Sequence, residues 1–273
     1  MVIQTITLNL IYLYCVQTVI VKQAHIKIET EVTEDTLVDS VMLRGKVIRM
    51  KVRMTSHSTP DNIIGVDDAQ ELIAYCARVS NPDNQNNRET SEKLIKYLIK
   101  HKHWSPLEMV SACLEIETTR DIARQILRHR SFSFQEFSQR YADPTKDLSF
   151  EAREARLQDP TNRQNSVPLN LDIEDERRLN EDFRMKQHVL WRQAEEIYNW
   201  AIDKGIAKEQ ARAVLPEGMT ISRLYMNGTL RSWVHYIDLR SANGTQKEHQ
   251  DIAIACANEI AKIFPLMKDI SNV

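Results

Sequence analysis

Residues 128–141 read RHRSFSFQEFSQRY, the densest set of groups able to do chemistry in this chain. Arg128, Arg130, Glu136, Ser138 and Arg140 are interleaved there with Phe132, Phe134, Phe137 and Tyr141. A guanidinium is always charged and donates in a rigid fork, which suits phosphate oxygens and flat heterocycles. The stretch therefore points to a ligand carrying a phosphate and a planar ring. Gln125 and Arg128 stand three apart, and Arg124 and Arg128 four apart, so each pair shares a helix face. Two arginines so placed repel unless an anion or a carboxylate lies between them. Beyond the helix Glu136, Ser138 and Arg140 alternate, so an extended chain would present all three on one side. The plainer reading has the cations complementing a helix C-terminus, with Glu136 as their partner. That suits one arginine better than this density.

The elements that must hold these groups follow in order. KVRMTSH (51–57) alternates as a short strand. Asp67-Asp68 cap a helix through Leu72, Ile73 and Cys76, and Thr90-Ser91 start a second with Leu94, Ile95, Leu98 and Ile99 on one stripe. Pro106 in HKHWSP enforces its end. Val110, Ala112, Leu114 and Ile116 alternate with Ser111, Cys113, Glu115 and Glu117 as a half-buried strand. Thr118 or Thr119 then caps a helix that runs through Ile122, Ile126 and Leu127 into the arginine run. Residues 142–173 read as a long polar loop with some helix, and 174–203 as a long amphipathic helix ended by Gly205. A short helix through 210–214, a strand near 219–226 and helices over about 229–240 and 246–264 complete the order. Strands, then helices, then one late strand make the fold α+β: helix-rich, with a small, mostly antiparallel sheet.

At 273 residues the chain fits one large domain with an appendage. Lys+Arg 36 against Asp+Glu 38 is not the footprint of a dedicated nucleic-acid binder, so the arginine cluster reads as a local device. Among six glycines none forms a phosphate-cradling loop, so a nucleotide would have to be held by side chains and helix ends. Cys15, Cys76, Cys113 and Cys256 are scattered, which suits a reducing cytoplasm, with Cys113 and Cys256 packed in the core. His101 and His103 lack a nearby third ligand and do not make a metal site. Trp191, Trp200 and Trp233 fall on helices as core or subunit-interface residues.

Residues 2–21 are uncharged, but no basic residue precedes them and polar side chains interrupt the run, so no membrane span is expected. Residues 1–49 are expected to be an extension dispensable for activity, with the catalytic domain at 50–273.

RHRSFSFQEFSQRY resembles the signature of the flavin-dependent thymidylate synthases: R-H-R, seven residues, then S, closing on E-x-S-x-R. HKHWSPLEM, ARAVLP (211–216) and the run from Leu230-Arg231-Ser232-Trp233 to Asp238-Leu239-Arg240 resemble further blocks of that family, in the same order. The likeness covers roughly residues 50–265. It implies reductive methylation of dUMP to dTMP, with methylenetetrahydrofolate as carbon donor and NADPH as reductant through FAD. By resemblance FAD lies against Ser105, Arg128, His129, Arg130, Glu136, Thr229, Leu230, Arg231 and His235. dUMP lies against Gln125, Arg128, Glu136, Phe137, Ser138, Gln139, Arg140, Arg212 and Arg240. Arg240 is the implied catalytic group, stabilising negative charge on the uracil ring. The family also implies a homotetramer with sites between subunits. His129, between two arginines, is expected to be uncharged and to bond FAD. Gln135 and Thr229 stand where relatives commonly have Asn, and Asn243-Gly244-Thr245 lacks a histidine often found there.

A competing reading takes the same arginines, with Phe132, Phe134 and Tyr141, as phosphate contacts and stacking platforms of a single-stranded nucleic-acid binding module. The acidic balance and the interspersed Glu136 argue against it.

Overall fold

The structure, a computed structural model, describes residues 51–62 and 65–270. The readings of residues 1–49 and of the uncharged run 2–21 lie outside them.

Nine-residue strands β2 (Ser111–Thr119) and β6 (Ile221–Thr229) pair antiparallel along their whole length and form the spine of the fold. β1 (Lys51–His57) lies on the far side of β2, and β3 (Ser133–Glu136) on the far side of β6. All pairings are antiparallel, giving the order β1-β2-β6-β3. Strands β4 (Arg156–Gln158) and β5 (Ser166–Pro168) form a separate small hairpin. The helices are α1 (Ala69–Ala77), α2 (Ser91–Lys100), α3 (Arg120–Ile126), α4 (Pro144–Asp147), α5 (Glu174–Asp203), α6 (Lys208–Ala211), α7 (Leu230–Ser241), α8 (Lys247–Ile260) and α9 (Met267–Ile270). The fold is α+β, as expected from the order of elements.

Helices α1, α3, α7 and α8 pack on one face of the sheet around Trp233, Tyr236, Ile237, Ile252 and Cys256, all almost wholly buried. The Trp233 indole N–H satisfies itself on the Ala112 carbonyl at 3.0 Å. A smaller cluster, with Trp191, Tyr198, Leu215 and Met219, sits against α5. Phe132 reaches into the main core from the arginine run and lies edge-on to Trp233, ring centres 4.8 Å apart. It can do so because β6 carries Gly228: a Cβ there would collide with the Phe132 ring. Gly228→Ala is therefore expected to destabilise the fold by about 1–3 kcal/mol through overpacking. Chemical unfolding would show this, and an unchanged midpoint would refute it.

Several local expectations shift. Helix α2 does not wait for Pro106 to end it. It stops at Lys100, with Lys102 in the left-handed region (φ 59°) and the His103 N–H closing onto the Leu98 carbonyl at 2.8 Å. Pro106 instead opens the 3₁₀ turn Ser105–Glu108. Asp68 caps α1 as its type requires, accepting the Glu71 N–H at 2.7 Å. Thr119 precedes α3 but gives its hydroxyl to the Asp121 carboxylate (2.7 Å) and caps no N–H. Strand β6 runs three residues past the expected end, directly into α7. The segment 142–173 contains α4 and the β4–β5 hairpin.

Strand β2 is more buried than its alternation suggests, because it is central. Glu115 is 2% exposed, directly opposite Arg53 on β1 and Tyr225 on β6. Arg53 Nε meets it at 2.8 Å and holds its carboxyl below the usual range. Glu117, also buried, is paired with Arg223. Cys113 shares that outer face and is only half-buried, whereas Cys256 is a core thiol as expected. Trp200 is 57% exposed and outside the core. Among the described residues no helix is long and apolar enough to cross a membrane.

Candidate active site

Strand β2 ends and α3 begins with no residue between them, and β6 hands over to α7 in the same way. The phase of each helix is therefore set by its strand. From α3 come Gln125 and, just past its end, His129; from α7 come Tyr236 and Arg240. Arg240 Nε donates to His129 Nε2 at 2.9 Å, across 111 residues of sequence. The His129 ring stands edge-on to Tyr236 at 4.9 Å. Burial, and then the Arg240 charge, push the His129 pKa down to about 4, so the imidazole accepts as a neutral ring. The expectation of an uncharged His129 agrees with this, but here its partner is the implied catalytic arginine. Arg240 makes no ion pair with a carboxylate among the described residues.

Helix α8 closes the same cluster. His249, fully buried, has Nδ1 3.3 Å from Gln125 Oε1 and Nε2 3.1 Å from the Tyr236 hydroxyl. Burial, Arg240 and His129 lower its pKa to about 3. Both histidines are thus neutral in the fold, while in the unfolded chain they charge below about pH 6.5. Their contribution to stability is full above that value and is lost progressively as pH falls from there to about 4 for His129 and about 3 for His249. Thermal midpoints should fall from pH 6.5 to 4, with a shallower slope in His249→Leu; equal slopes would contradict the assignment.

Glu136 ends β3 and accepts from Ser222 at 2.9 Å. Arg124 approaches the same carboxylate at 3.4 Å and the buried Arg120 at 3.7 Å. A carboxylate does sit among arginines, but the arginines are 120 and 124, not 128. Glu136, Ser138 and Arg140 do not share one extended face either. The chain turns at Ser138, whose carbonyl accepts the Tyr141 and Ala142 N–H groups. Arg140 instead reaches Glu209 of α6, Nε to Oε2 3.2 Å, and Arg212 Nε donates to the Glu209 carbonyl oxygen at 3.3 Å. Two of the arginines implied to lie against dUMP therefore meet around one residue. Phe137 is half-buried, its N–H bonded to the Arg223 carbonyl at 2.8 Å. Gln139 is 3% exposed, with its buried Nε2 unpartnered.

Of the residues implied to hold the flavin, Ser105, Thr229, Leu230, Arg231 and His235 gather around the start of α7, whereas His129 and Glu136 lie elsewhere. Thr229 is its N-cap and accepts the Ser232 N–H at 3.3 Å; Ser232 Oγ donates to the Ser131 carbonyl at 3.2 Å, tying the arginine run to the helix. His235 lies edge-on to Trp104 at 4.4 Å, next to Ser105, and Arg231 pairs with Glu108 of the same turn. Leu230 is wholly buried and its N–H is bonded to the Val110 carbonyl, so it serves the core. Arg128 and Arg130 are exposed and make no side-chain hydrogen bond or ion pair among the described residues. Two guanidinium forks without a partner among the described residues suit the phosphates of a ligand.

The aromatics that a nucleic-acid platform would need are committed elsewhere. Phe132 is 8% exposed, Phe134 packs on the core and only Tyr141 is open to solvent. Sequence reasoning missed Arg120, Glu209, Tyr236, His249, Gln246 and Glu248. A histidine in an alanine-rich helix was the one available signal for His249, and the others carried none.

The family described as thymidylate synthase complementing protein matches residues 62–266. A probable flavin-dependent thymidylate synthase of Paramecium bursaria Chlorella virus 1 is 50% identical over 216 residues, 79% of this chain and 96% of that protein. A flavin-dependent thymidylate synthase of Synechocystis sp. is 48% identical over 218 residues, with the same coverage. The crystal structure of the UMP/dUMP methylase PolB from Streptomyces cacaoi, bound with 5-Br dUMP, superposes with a TM-score of 0.64 at 25% identity, over 81% of this chain and 94% of that one. The chain belongs to the flavin-dependent thymidylate synthase family.

Proposed function

We propose that this protein is a flavin-dependent thymidylate synthase that methylates dUMP reductively, with methylenetetrahydrofolate as carbon donor and NADPH as reductant. The observation that carries the reading is the state of Arg240. It is a half-buried guanidinium held by a neutral histidine and paired with no carboxylate among the described residues, which is how a cation is kept ready for an anionic ligand. Arg128, Arg130, Ser105 and His235 would hold FAD, and bound FAD supplies the hydride chemistry. The chain's own residues bind, orient and polarise. Arg140, Arg212 and Ser138 take the nucleotide phosphate, and Arg240 stabilises negative charge on the uracil ring. The described cysteines are poor nucleophiles: burial raises the Cys256 thiol far above its ordinary range and raises Cys76 as well, while the Cys113 thiol is bonded to no base among the described residues.

The purified protein should show a flavin spectrum that bleaches on anaerobic NADPH and responds to dUMP. A colourless protein that takes up no added FAD would refute the proposal.

Assembly into a homotetramer is part of the same reading. Leu179, Phe183, Leu190 and Ile197 fall on one stripe of the 30-residue α5 and are 43% to 52% exposed, with Trp200 beside them. A stripe of that size is an interface signature. Phe183→Glu with Ile197→Glu should lower the mass seen by light scattering and reduce flavin content. Unchanged mass would remove this face from the interface.

A further inference from the structure

The polar chain behind Gln125 has a direction, and one end dictates it. Glu248 forms an ion pair with Arg156, and a carboxylate so paired can only accept. Gln246 must then turn its amide nitrogen to Glu248, at 2.9 Å. Its oxygen is left for Gln125, whose amide nitrogen donates to it at 2.8 Å. Gln125 Oε1 therefore faces His249, and His249 Nδ1 must carry the proton that bridges the 3.3 Å between them. Nε2 is bare and accepts from the Tyr236 hydroxyl at 3.1 Å. Burial keeps Tyr236 protonated, so the far end agrees with the near one. An amide normally can flip its oxygen and nitrogen at little cost. Here both neighbours forbid it.

We infer that His249 is a positioning residue for the reaction: as a fixed Nδ1–H donor it locks the side-chain amide of Gln125 in one orientation toward the nucleotide. The inference rests on the proposed function and adds a residue to it. Locked this way, Gln125 keeps one N–H and one oxygen lone pair for a ligand, in a fixed left-right order. Arg240 belongs to the same cluster, since its charge acts on both His129 and His249. The lock thus ties a neutral hydrogen-bonding group from α3 to the cation from α7.

The test uses three replacements in the full-length, flavin-loaded protein. Asn at position 249 can supply a donor near the Nδ1 position; Gln can reach only the Nε2 position; Leu supplies neither. His249→Asn should keep the KM for dUMP within about threefold of wild type, whereas His249→Gln and His249→Leu should raise it about tenfold, the value of one oriented hydrogen bond. FAD content and the rate of flavin reduction by NADPH should stay unchanged in all three. In a Gln125→Ala background the Leu substitution should have no further effect on KM. Equal KM shifts in the Asn, Gln and Leu variants, or an undiminished Leu effect without Gln125, would overturn the inference by showing packing alone. A wild-type protein that reduces its flavin but ignores dUMP would overturn the functional reading, and the inference with it.

Discussion

Replacing Arg240 with alanine should lower dTMP formation by roughly a hundred- to a thousandfold, the cost of removing one preorganised charge-stabilising donor, while the purified protein keeps its flavin. The reason lies in how the side chain is held. Its Nε is spent on His129, so the fork that remains is aimed by a half-buried, uncharged ring and is not neutralised by an acid among the described residues. Such a cation stabilises charge as it develops on a bound ring and needs no reorganisation to do so. Ser105, Arg231 and His235, proposed to hold the flavin, lie around the other end of α7, so losing the His129 contact alone should leave the cofactor bound. Arg240→Lys restores charge but neither the Nε contact nor the fork, so most of the loss should persist. Turnover near the wild-type rate in Arg240→Ala would end the case for its role.

Arg140→Ala should weaken dUMP binding by about 2–3 kcal/mol, roughly thirty- to a hundred-and-fiftyfold, as expected for a charge-assisted contact to phosphate. Its flavin reduction rate should hardly change. Arg140 is exposed and engaged with Glu209 at 3.2 Å. An exposed pair of this kind contributes about 1 kcal/mol at most, so a dianionic phosphate displaces the carboxylate at small cost. Glu209→Ala should accordingly tighten dUMP slightly. A dUMP titration followed by flavin absorbance reads both variants. Unchanged affinity in Arg140→Ala would remove it from the phosphate site.

The parts of the fold legible in the sequence are those set by near neighbours. The periods of α2, α5 and β2, the cap at Asp68 and the stop at Gly205 (φ 78°) all follow from residues within a turn or two. Strand β3 was not legible, because SFQE alternates over only four residues and owes its extension to pairing with β6. In the site, the arginine run announced itself by density, but its internal partners did not. Glu136 looks toward Arg128 and Arg140 on paper and is claimed by Arg120, Arg124 and Ser222 in space. The His129–Arg240 contact joins positions no local pattern connects. Phe132 and Phe134 read as ring-stacking surfaces until Gly228 and Trp233 draw Phe132 inward, which no spacing could disclose.

The loop-free passages from β2 into α3 and from β6 into α7 behave like splined shafts: nothing between strand and helix can absorb a slip. One extra residue in either strand would move the following side chains to the opposite sheet face and rotate the attached helix by about 100°. Gln125 or Arg240 would then swing out of mesh with His249 and His129. Length changes in this protein should therefore be confined to the segments between Tyr141 and α5 and after α8, while both strand-to-helix junctions and the arginine run keep a constant count.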